Sequence, residues 1–208
     1  MTPPTPTPSE VLRIELPIEW IPLPDRDAGI DVDEWVDTTV SERTLSEEVG
    51  TRLRQNLRRV IEVAHGLSAG SRRAHALVTR PELGRVDALL SLRLAKVTDA
   101  AYGNYLEAVQ ALTSGPRGEL LNRRVDEVVL PKGPAIVTSD IVIPLGGGGP
   151  TSPITERAVV ALFPTGWASM AEFTLLTQDL AVFDDARDYL LTIASEEVPS
   201  VPGRGDNE

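Results

Sequence analysis

The sequence predicts an α+β fold in which an antiparallel sheet is packed by helices. Apolar residues alternate along several short segments, as in strands with one buried face, and recur every three to four residues along three longer segments, as in amphipathic helices. The last four strand-like segments follow one another with short turns, which is typical of an antiparallel meander. The expected fold is therefore a C-terminal four-stranded meander, extended by N-terminal strands and packed by three helices.

The expected core lies in one domain with a tail at each end. A chain of 208 residues with 41% apolar residues can bury a sizeable core, and aromatic residues at only 4% predict that Val, Leu, Ile and Ala fill it. Residues 1–10 are rich in Thr and Pro and are expected to be disordered. Residues 11–197 then form a single α+β domain, and residues 198–208 form a disordered acidic tail.

The first strand-like segment precedes an acidic stretch. Alternation predicts one or two strands, broken near Pro17, with five apolar side chains on one face. These are Leu12, Ile14, Leu16, Ile18 and Trp20. An acidic loop is expected to follow at residues 25–37.

A helix is predicted from about Thr44 to residue 65. Thr44 with Glu47 fits a capping box, but Thr39 with Glu42 fits one equally well, so the start stays open by one turn. Gly66 fits the end of this helix. Its apolar stripe consists of Leu45, Val49, Leu53, Leu57, Ile61 and Ala64.

Two strands and a second helix come next. Residues 72–79 and 86–97 are strand-like, and the turn-forming residues 80–84 join them. A helix is predicted from about Thr98 to Ser114. Its apolar stripe consists of Tyr102, Tyr105, Leu106, Val109 and Leu112.

The meander and a last helix complete the chain. Four strands are predicted at residues 124–130, 134–144, 156–163 and 167–176, and Gly146–Gly149 are expected at a hairpin tip. Phe183, Ala186, Leu190 and Ile193 then recur at helical spacing. This helix must cover one face of the meander, because its apolar stripe would otherwise stay in water.

Three features resemble the PsbP-like fold family, whose members include LpqN-type actinobacterial proteins and Eag-type effector chaperones. They are the opening segment "VLRIELPIEWIPL", the closing meander, and the terminal strand and helix "FTLLTQDLAVFDDARDYLLTIASE". The chain differs from the family in its long Arg-rich helix at residues 44–65 and in lacking the lipoprotein Cys. The resemblance implies a non-enzymatic binding protein and carries over no catalytic residue.

The motifs of common catalytic and metal sites are missing from the sequence. The chain has no Cys, which excludes thiolate chemistry and Cys-based zinc sites. The acids from Asp25 onward fail the EF-hand spacing, and the glycine run lacks the Lys-Ser or Lys-Thr of a phosphate loop. His65 and His75 have no acids at ligand spacing. We therefore expect no catalytic, cofactor-binding or metal residue, and no cofactor.

Charge is distributed unevenly along a chain of net charge −11. Residues 25–48 carry a net charge of −7, residues 49–97 carry +7, and residues 98–208 carry −9. A nucleic acid would be repelled by the whole chain, so no nucleic-acid partner is expected. The sequence shows neither a signal peptide nor a membrane-spanning run, so we expect a cytoplasmic protein with no membrane partner.

These observations favour a non-enzymatic protein-binding adaptor or chaperone, with a secretion- or toxin-associated role as one setting for it. The expected partner is another protein, basic or secreted, and self-association is left open. The candidate partner-binding residues are Asp25, Asp27, Asp31, Asp33, Glu34, Asp37, Arg52, Arg54, Arg58 and Arg59. The acids and arginines could pair with each other or with a partner. The alternatives are an immunity protein for a basic toxin, a small-ligand-binding module with a cavity between the sheet and the 98–114 helix, and an enzyme of unrecognised type.

Overall fold

The computed structural model describes residues 12, 14–43, 46–67, 72–98, 100–112, 114–115, 118–143 and 154–200. The strands are β1 Trp20–Pro22, β2 Arg72–Leu77, β3 Ala88–Lys96, β4 Ser114–Gly115, β5 Gly118–Leu130, β6 Gly133–Ile143, β7 Thr155–Leu162 and β8 Ser169–Thr177. The helices are α1 Val32–Ser41, α2 Glu47–Gly66, α3 Ala101–Ala111 and α4 Ala186–Ala194.

All eight strands join one antiparallel sheet in the order β1-β2-β3-β8-β7-β6-β5-β4. The last four long strands form the predicted meander. The final strand, β8, pairs along its whole length with β3, which joins the meander to the N-terminal strands. The predicted α+β class, with an antiparallel sheet packed by helices, is therefore confirmed.

Helix α4 covers one face of the sheet, which we call the α4 face. Phe173 and Leu175 of β8 are buried on this face together with Leu190 and Ile193 of α4. Asp185 caps the helix by accepting hydrogen bonds from the backbone N–H groups of Arg187 and Asp188. The expectation that the last helix covers the meander is confirmed.

The opposite face, which we call the α2 face, carries the other three helices. Leu53, Leu57 and Ile61 of α2 are buried in a second core together with Ala76 of β2 and Leu89 of β3. This core lies toward the β1 end of the sheet. Helix α3 lies further along the same face, where Tyr102 and Tyr105 pack edge-on against the ring of Phe163.

Part of the acidic segment predicted as a loop is helix α1, so the described residues contain four helices rather than three. Asp31 caps α1 by accepting from the backbone N–H groups of Asp33 and Glu34, and these two acids lie in the first turn, where the helix dipole favours negative charge. Val36 and Val40, four residues apart, anchor α1 in the core of the α2 face.

Helix α2 begins later than either capping box predicts. Ser46 caps it by accepting from the backbone N–H of Val49. Thr39 lies inside α1, so a start at the Thr39 box is wrong, and Thr44 and Leu45 lie outside the described residues. The predicted end at Gly66 is confirmed.

The alternation before Trp20 does not continue as a strand. The backbone N–H of Trp20 donates to the carbonyl of Pro17 at 3.0 Å, and this turn leaves Ile18 91% exposed. Ile14 and Leu16 pack against the core of the α4 face without strand pairing. The prediction that Ile18 shares a buried face with Trp20 is wrong. The turn interrupts the strand, so side chains two residues apart on either side of it no longer point to the same face.

Helix α3 is shorter than predicted and only partly covered. Ser114 and Gly115 form β4 instead of a final helical turn, and no described residue of α3 is fully buried. The predicted hairpin tip at Gly146–Gly149 lies outside the described residues, as do residues 1–10 and 201–208 of the predicted tails.

Candidate functional site

A cleft of about 730 Å³ lies on the α2 face, between α2, α3 and the strands β3 and β5–β8. Its walls are largely apolar. They include Val60, Val63, Val109, Leu112, Leu120 and Leu176. The structure therefore contains a cleft beside α3, where the small-ligand alternative expects a cavity.

Beneath the floor of the cleft, one buried carboxylate is shared by two arginines that line the cleft. The side chain of Asp140 in β6 is fully buried. Arg157 of β7 donates to both of its oxygens, at 2.9 and 2.6 Å, and Arg123 of β5 donates to Oδ2 at 2.7 Å. Two guanidinium groups against one carboxylate leave this network with one excess positive charge.

A β-bulge directs Arg123 into the cleft. The β5–β6 register shifts between Leu121 and Arg124, and the intervening Asn122 has a φ of 52°. The extra residue sets Arg123 on the same face as Asp140. Its Nε and Nη2 also donate to the carbonyl of Val109 in α3, at 3.1 and 2.9 Å. Burial lowers the pKa of Arg123, and the charge of Asp140 acts against that shift.

A second ion pair lies beside the first. Arg93 of β3 donates to Glu172 of β8 at 3.0 Å, and the Tyr105 hydroxyl donates to the same Oε2 at 3.3 Å. Burial, followed by the charge of Glu172, raises the pKa of Tyr105 well above its ordinary value. This pair is neutral overall, so it does not cancel the excess positive charge of the Asp140 network.

The third acid beside the cleft, Asp87, shares one arginine with Asp179, so this group carries one excess negative charge. Its Oδ2 accepts from the backbone N–H and the hydroxyl of Thr79, at 2.8 and 2.7 Å. Arg85 lies 2.7 Å from Oδ1, although its N–H is not directed at that oxygen, so the contact is ionic rather than a hydrogen bond. Arg85 also lies 2.6 Å from Asp179.

Arg59 lies at the rim of the cleft. Its side chain is exposed, and no residue in the described part of the chain forms an ion pair with it. Together with the Asp140 network, Arg59 supplies two excess positive charges, and the group of Arg85, Asp87 and Asp179 offsets one of them, in a chain of net charge −11.

The acidic and basic residues proposed from the sequence pair largely with each other. Arg54 of α2 donates to Asp37 of α1, and Arg58 donates to Asp33, both at 2.7 Å. Both pairs are exposed and hold α1 against α2. The role of these four residues in binding a partner remains a prediction.

The other proposed residues are distributed more widely. Arg52 lies 3.8 Å from Glu48, one turn earlier on α2, and Asp31 caps α1. Asp25, Asp27 and Glu34 are exposed, and they form no ion pair with the residues that the structure describes. Of the ten proposed residues, only Arg59 borders the cleft.

The two histidines lie away from the cleft and from any metal-binding arrangement. His65 contacts the carbonyl of Pro24 at 3.1 Å. Burial, followed by the charge of Arg73, lowers the pKa of His75 in β2. In the part of the chain that the structure describes, no group of three His, Asp or Glu residues could hold a metal ion. Nothing positive in these residues points to catalysis.

The sequence pattern did not reveal the charged floor. Five strand residues supply the charges of the floor, and three of them lie singly within largely apolar segments: Arg93, Asp140 and Glu172. A charge at an inward-facing position of such a strand needs a partner, because burying it alone is costly. Pairing Asp140 with Arg157 across neighbouring strands could have followed from the hairpin register alone.

No protein family model and no curated protein matches this chain. Among the described residues, no helix is both long enough and apolar enough to cross a membrane. The chemistry of the cleft is therefore the best guide to what the chain binds.

Proposed function

We propose that the chain is a non-enzymatic binding protein that holds a small, largely apolar ligand with one anionic group in the cleft between α2, α3 and the sheet. One observation carries this proposal: the cleft combines apolar walls with guanidinium charge that its own carboxylates do not neutralise. Its volume of about 730 Å³ falls within the range of about 300–1,000 Å³ that is typical of small-molecule sites.

The anionic group follows from the distribution of charge. Arg157 lines the floor of the cleft, and Arg59 lines its rim. A guanidinium group binds carboxylate, sulfonate or phosphate through directed pairs of N–H groups, and its attraction for an anion grows where water is scarce. A cationic ligand would meet one excess positive charge and the guanidinium groups of the floor and the rim.

The apolar body follows from the walls. Val60 and Val63 of α2 face the cleft from one side, and Val109 and Leu112 of α3 face it from the other. An aliphatic or aromatic group placed between them would remove apolar surface from water on both helices, which is the main source of affinity in such sites.

Calorimetric titration with three ligands that share one alkyl chain tests this proposal. The ligands are dodecanoate and dodecyltrimethylammonium, each below its micelle concentration, and dodecanol below its solubility limit. Dodecanoate is expected to bind with one ligand per chain and at least about tenfold more tightly than the cation. Equal affinity for all three ligands, or no binding of dodecanoate, would contradict the proposal.

A matched pair of variants tests whether the ligand binds in the cleft. Val109→Trp fills the cleft from α3 and is expected to weaken dodecanoate binding at least about tenfold. Ala108→Trp adds the same side chain at an exposed position of the same helix and should bind as the parent does. If both variants bind equally well, the ligand lies elsewhere.

The protein-binding adaptor or chaperone expected from the charge pattern remains a second proposal. The exposed acids Asp25, Asp27 and Glu34 support it, because a basic partner could contact them without breaking the α1–α2 ion pairs. The immunity-protein variant, the PsbP-like resemblance and the cytoplasmic location also remain predictions. Recovery of a basic protein at low salt that is lost at high salt, and lost on changing these three acids to amides, would favour the adaptor.

A further inference from the structure

We propose that the outer edge of β5 pairs with the same edge of a second copy of this chain, antiparallel and centred on Val125. The sheet would then continue from one chain into the other around a twofold axis at Val125. This interface is separate from the cleft and does not depend on what the cleft binds.

The outer edge of β5 is open along most of its length. Strand β4 pairs only with Gly118 and Glu119, and no strand among the described residues pairs with the outer side of residues 120–130. Val129 on this edge is 86% exposed. An unpaired edge of this length presents backbone N–H and C=O groups that a further strand can bind.

The charges along this edge are arranged to suit a second copy. The order Arg123, Arg124, Val125, Asp126, Glu127 has two bases before Val125 and two acids after it. An antiparallel twofold axis at Val125 places Arg124 of each copy opposite Asp126 of the other. It also places Arg123 opposite Glu127, but these two side chains are already bound within one chain, to Asp140 and to the Tyr102 hydroxyl, so the pairing between copies rests on Arg124 and Asp126. Directly opposed residues lie on the same face of a sheet, so opposite charges at these positions attract.

The same order disfavours the neighbouring registers. Side chains alternate between the two faces of a strand. If both copies keep their α4 faces on the same side of the joined sheet, two opposed residues must both be even-numbered or both odd-numbered. The twofold axis must therefore pass through a residue and not between two residues. An axis at Arg124 would bring two arginines face to face, and an axis at Asp126 would bring two aspartates face to face. Charges on an edge strand normally discourage pairing, and here they leave one register favourable.

The side chains that would bind across the axis are accessible. Arg124 is exposed and forms no ion pair with any described residue. Asp126 contacts Arg187 of α4 through Oδ2 at 3.1 Å, and its Oδ1 has no partner in the described part of the chain. The bulge at Asn122 ends the regular edge on one side, so the paired segment is short and a weak, micromolar dimer is expected.

Sedimentation velocity over a range of micromolar concentrations at low salt tests this inference. The parent chain is expected to show a monomer–dimer equilibrium. Arg124→Asp and Asp126→Arg should each weaken self-association at least about tenfold, because each places like charges opposite one another. The double variant Arg124→Asp/Asp126→Arg should dimerise again.

A mixture of the two single variants gives the sharpest result. The Arg124→Asp variant carries acids at both opposed positions, and the Asp126→Arg variant carries bases at both. Like charges therefore meet when either variant pairs with itself, whereas opposite charges meet at both positions when the two variants pair with each other. The equimolar mixture should form heterodimers while each variant alone stays monomeric. Arg187→Gln controls for loss of the contact with Asp126 inside one chain and should dimerise like the parent.

Three results would overturn the inference. They are a parent chain that stays monomeric throughout the range, single variants that dimerise like the parent, and a mixture that shows no heterodimer although both variants are folded. Circular dichroism of each variant distinguishes loss of pairing from loss of fold, since Arg124 is exposed and its replacement leaves the core intact.

Discussion

Arg123 donates to the buried carboxylate of Asp140 at 2.7 Å, and it reaches that carboxylate only because of the bulge at Asn122. The same guanidinium group donates twice to the carbonyl of Val109. One side chain therefore joins β5, β6 and α3 at the floor of the cleft. Since Asp140 is the only acid that Arg123 and Arg157 contact among the described residues, it is central to this arrangement.

Replacing Asp140 with Asn should destabilise the chain by about 3 kcal/mol or more, because two largely buried guanidinium groups would lose their counter-charge while the shape stays the same. Urea unfolding measures this change. Asp33→Asn, at the exposed ion pair with Arg58, is the control and should cost less than about 1 kcal/mol. Equal costs would mean that the Asp140 network contributes no more than a surface pair.

Replacing Leu190 with Ala should cost about 2–5 kcal/mol, because this fully buried side chain fills the contact between α4 and the sheet. Leu180→Ala removes the same atoms from a side chain that is half exposed and should cost far less. Chemical unfolding of both variants measures the difference. A Leu190 variant as stable as the Leu180 variant would show that α4 does not seal this face.

The tyrosines of the folded chain should ionise at unusually high pH. A hydrogen bond to Glu127 raises the pKa of Tyr102 to about 12, burial raises that of Tyr189 to about 12, and burial also raises that of Tyr105. These are all three tyrosines of the sequence. Absorbance at 295 nm should therefore change little near pH ~10, where unfolded tyrosine ionises, and rise only toward pH ~12. A Glu127→Gln variant should lower the pKa of Tyr102 alone.

The same shifts predict loss of stability in alkali. Tyr105 and Tyr189 bind their protons more tightly when the chain is folded, so their contribution is fully present below about pH 10 and is lost as the pH rises toward about 12. Tyr189→Phe should reduce this loss, although it also removes the hydroxyl that accepts from the Trp20 indole at 2.9 Å. Unfolding at about pH 9 and about pH 11 compares the two chains, and identical losses would contradict the role of Tyr189.

The ion pair between Arg58 and Asp33 should contribute less than about 1 kcal/mol, because both side chains are exposed. A double-mutant cycle of Arg58→Gln and Asp33→Asn measures their coupling, which should fall further at high salt. A coupling several times larger would mean that α1 depends on this pair for its position, rather than on Val36 and Val40.

The elements that the sequence predicted well have a regular pattern of burial. Leu53, Leu57 and Ile61 recur at helical spacing on a helix with one buried stripe, and Phe173 and Leu175 alternate with other side chains on a strand with one face under α4. Such periodicity reflects the geometry of the element itself. The strands of the meander, those of their turns that the structure describes, and the covering helix could therefore be derived from the sequence.

What the sequence could not show depends on the tertiary structure. Helix α1 was missed because its two buried valines lie among acids that resemble a loop. The exposed Ile18 was missed because a turn, not a residue type, changes the alternation. The charged floor was missed because Arg123 faces Asp140 only through the bulge, and a bulge leaves no simple mark in the pattern of apolar residues.

Arg123 connects helix α3 to the sheet at the floor of the cleft. With the ligand proposed above, an anion that attracts this guanidinium group would compete with the Val109 carbonyl, and each hydrogen bond that it takes would loosen the hold of the sheet on α3. Ligand binding and the release of α3 from the sheet would then be linked equilibria. Each would change the equilibrium constant of the other by the same factor. Hydrogen exchange along α3 would consequently report ligand binding.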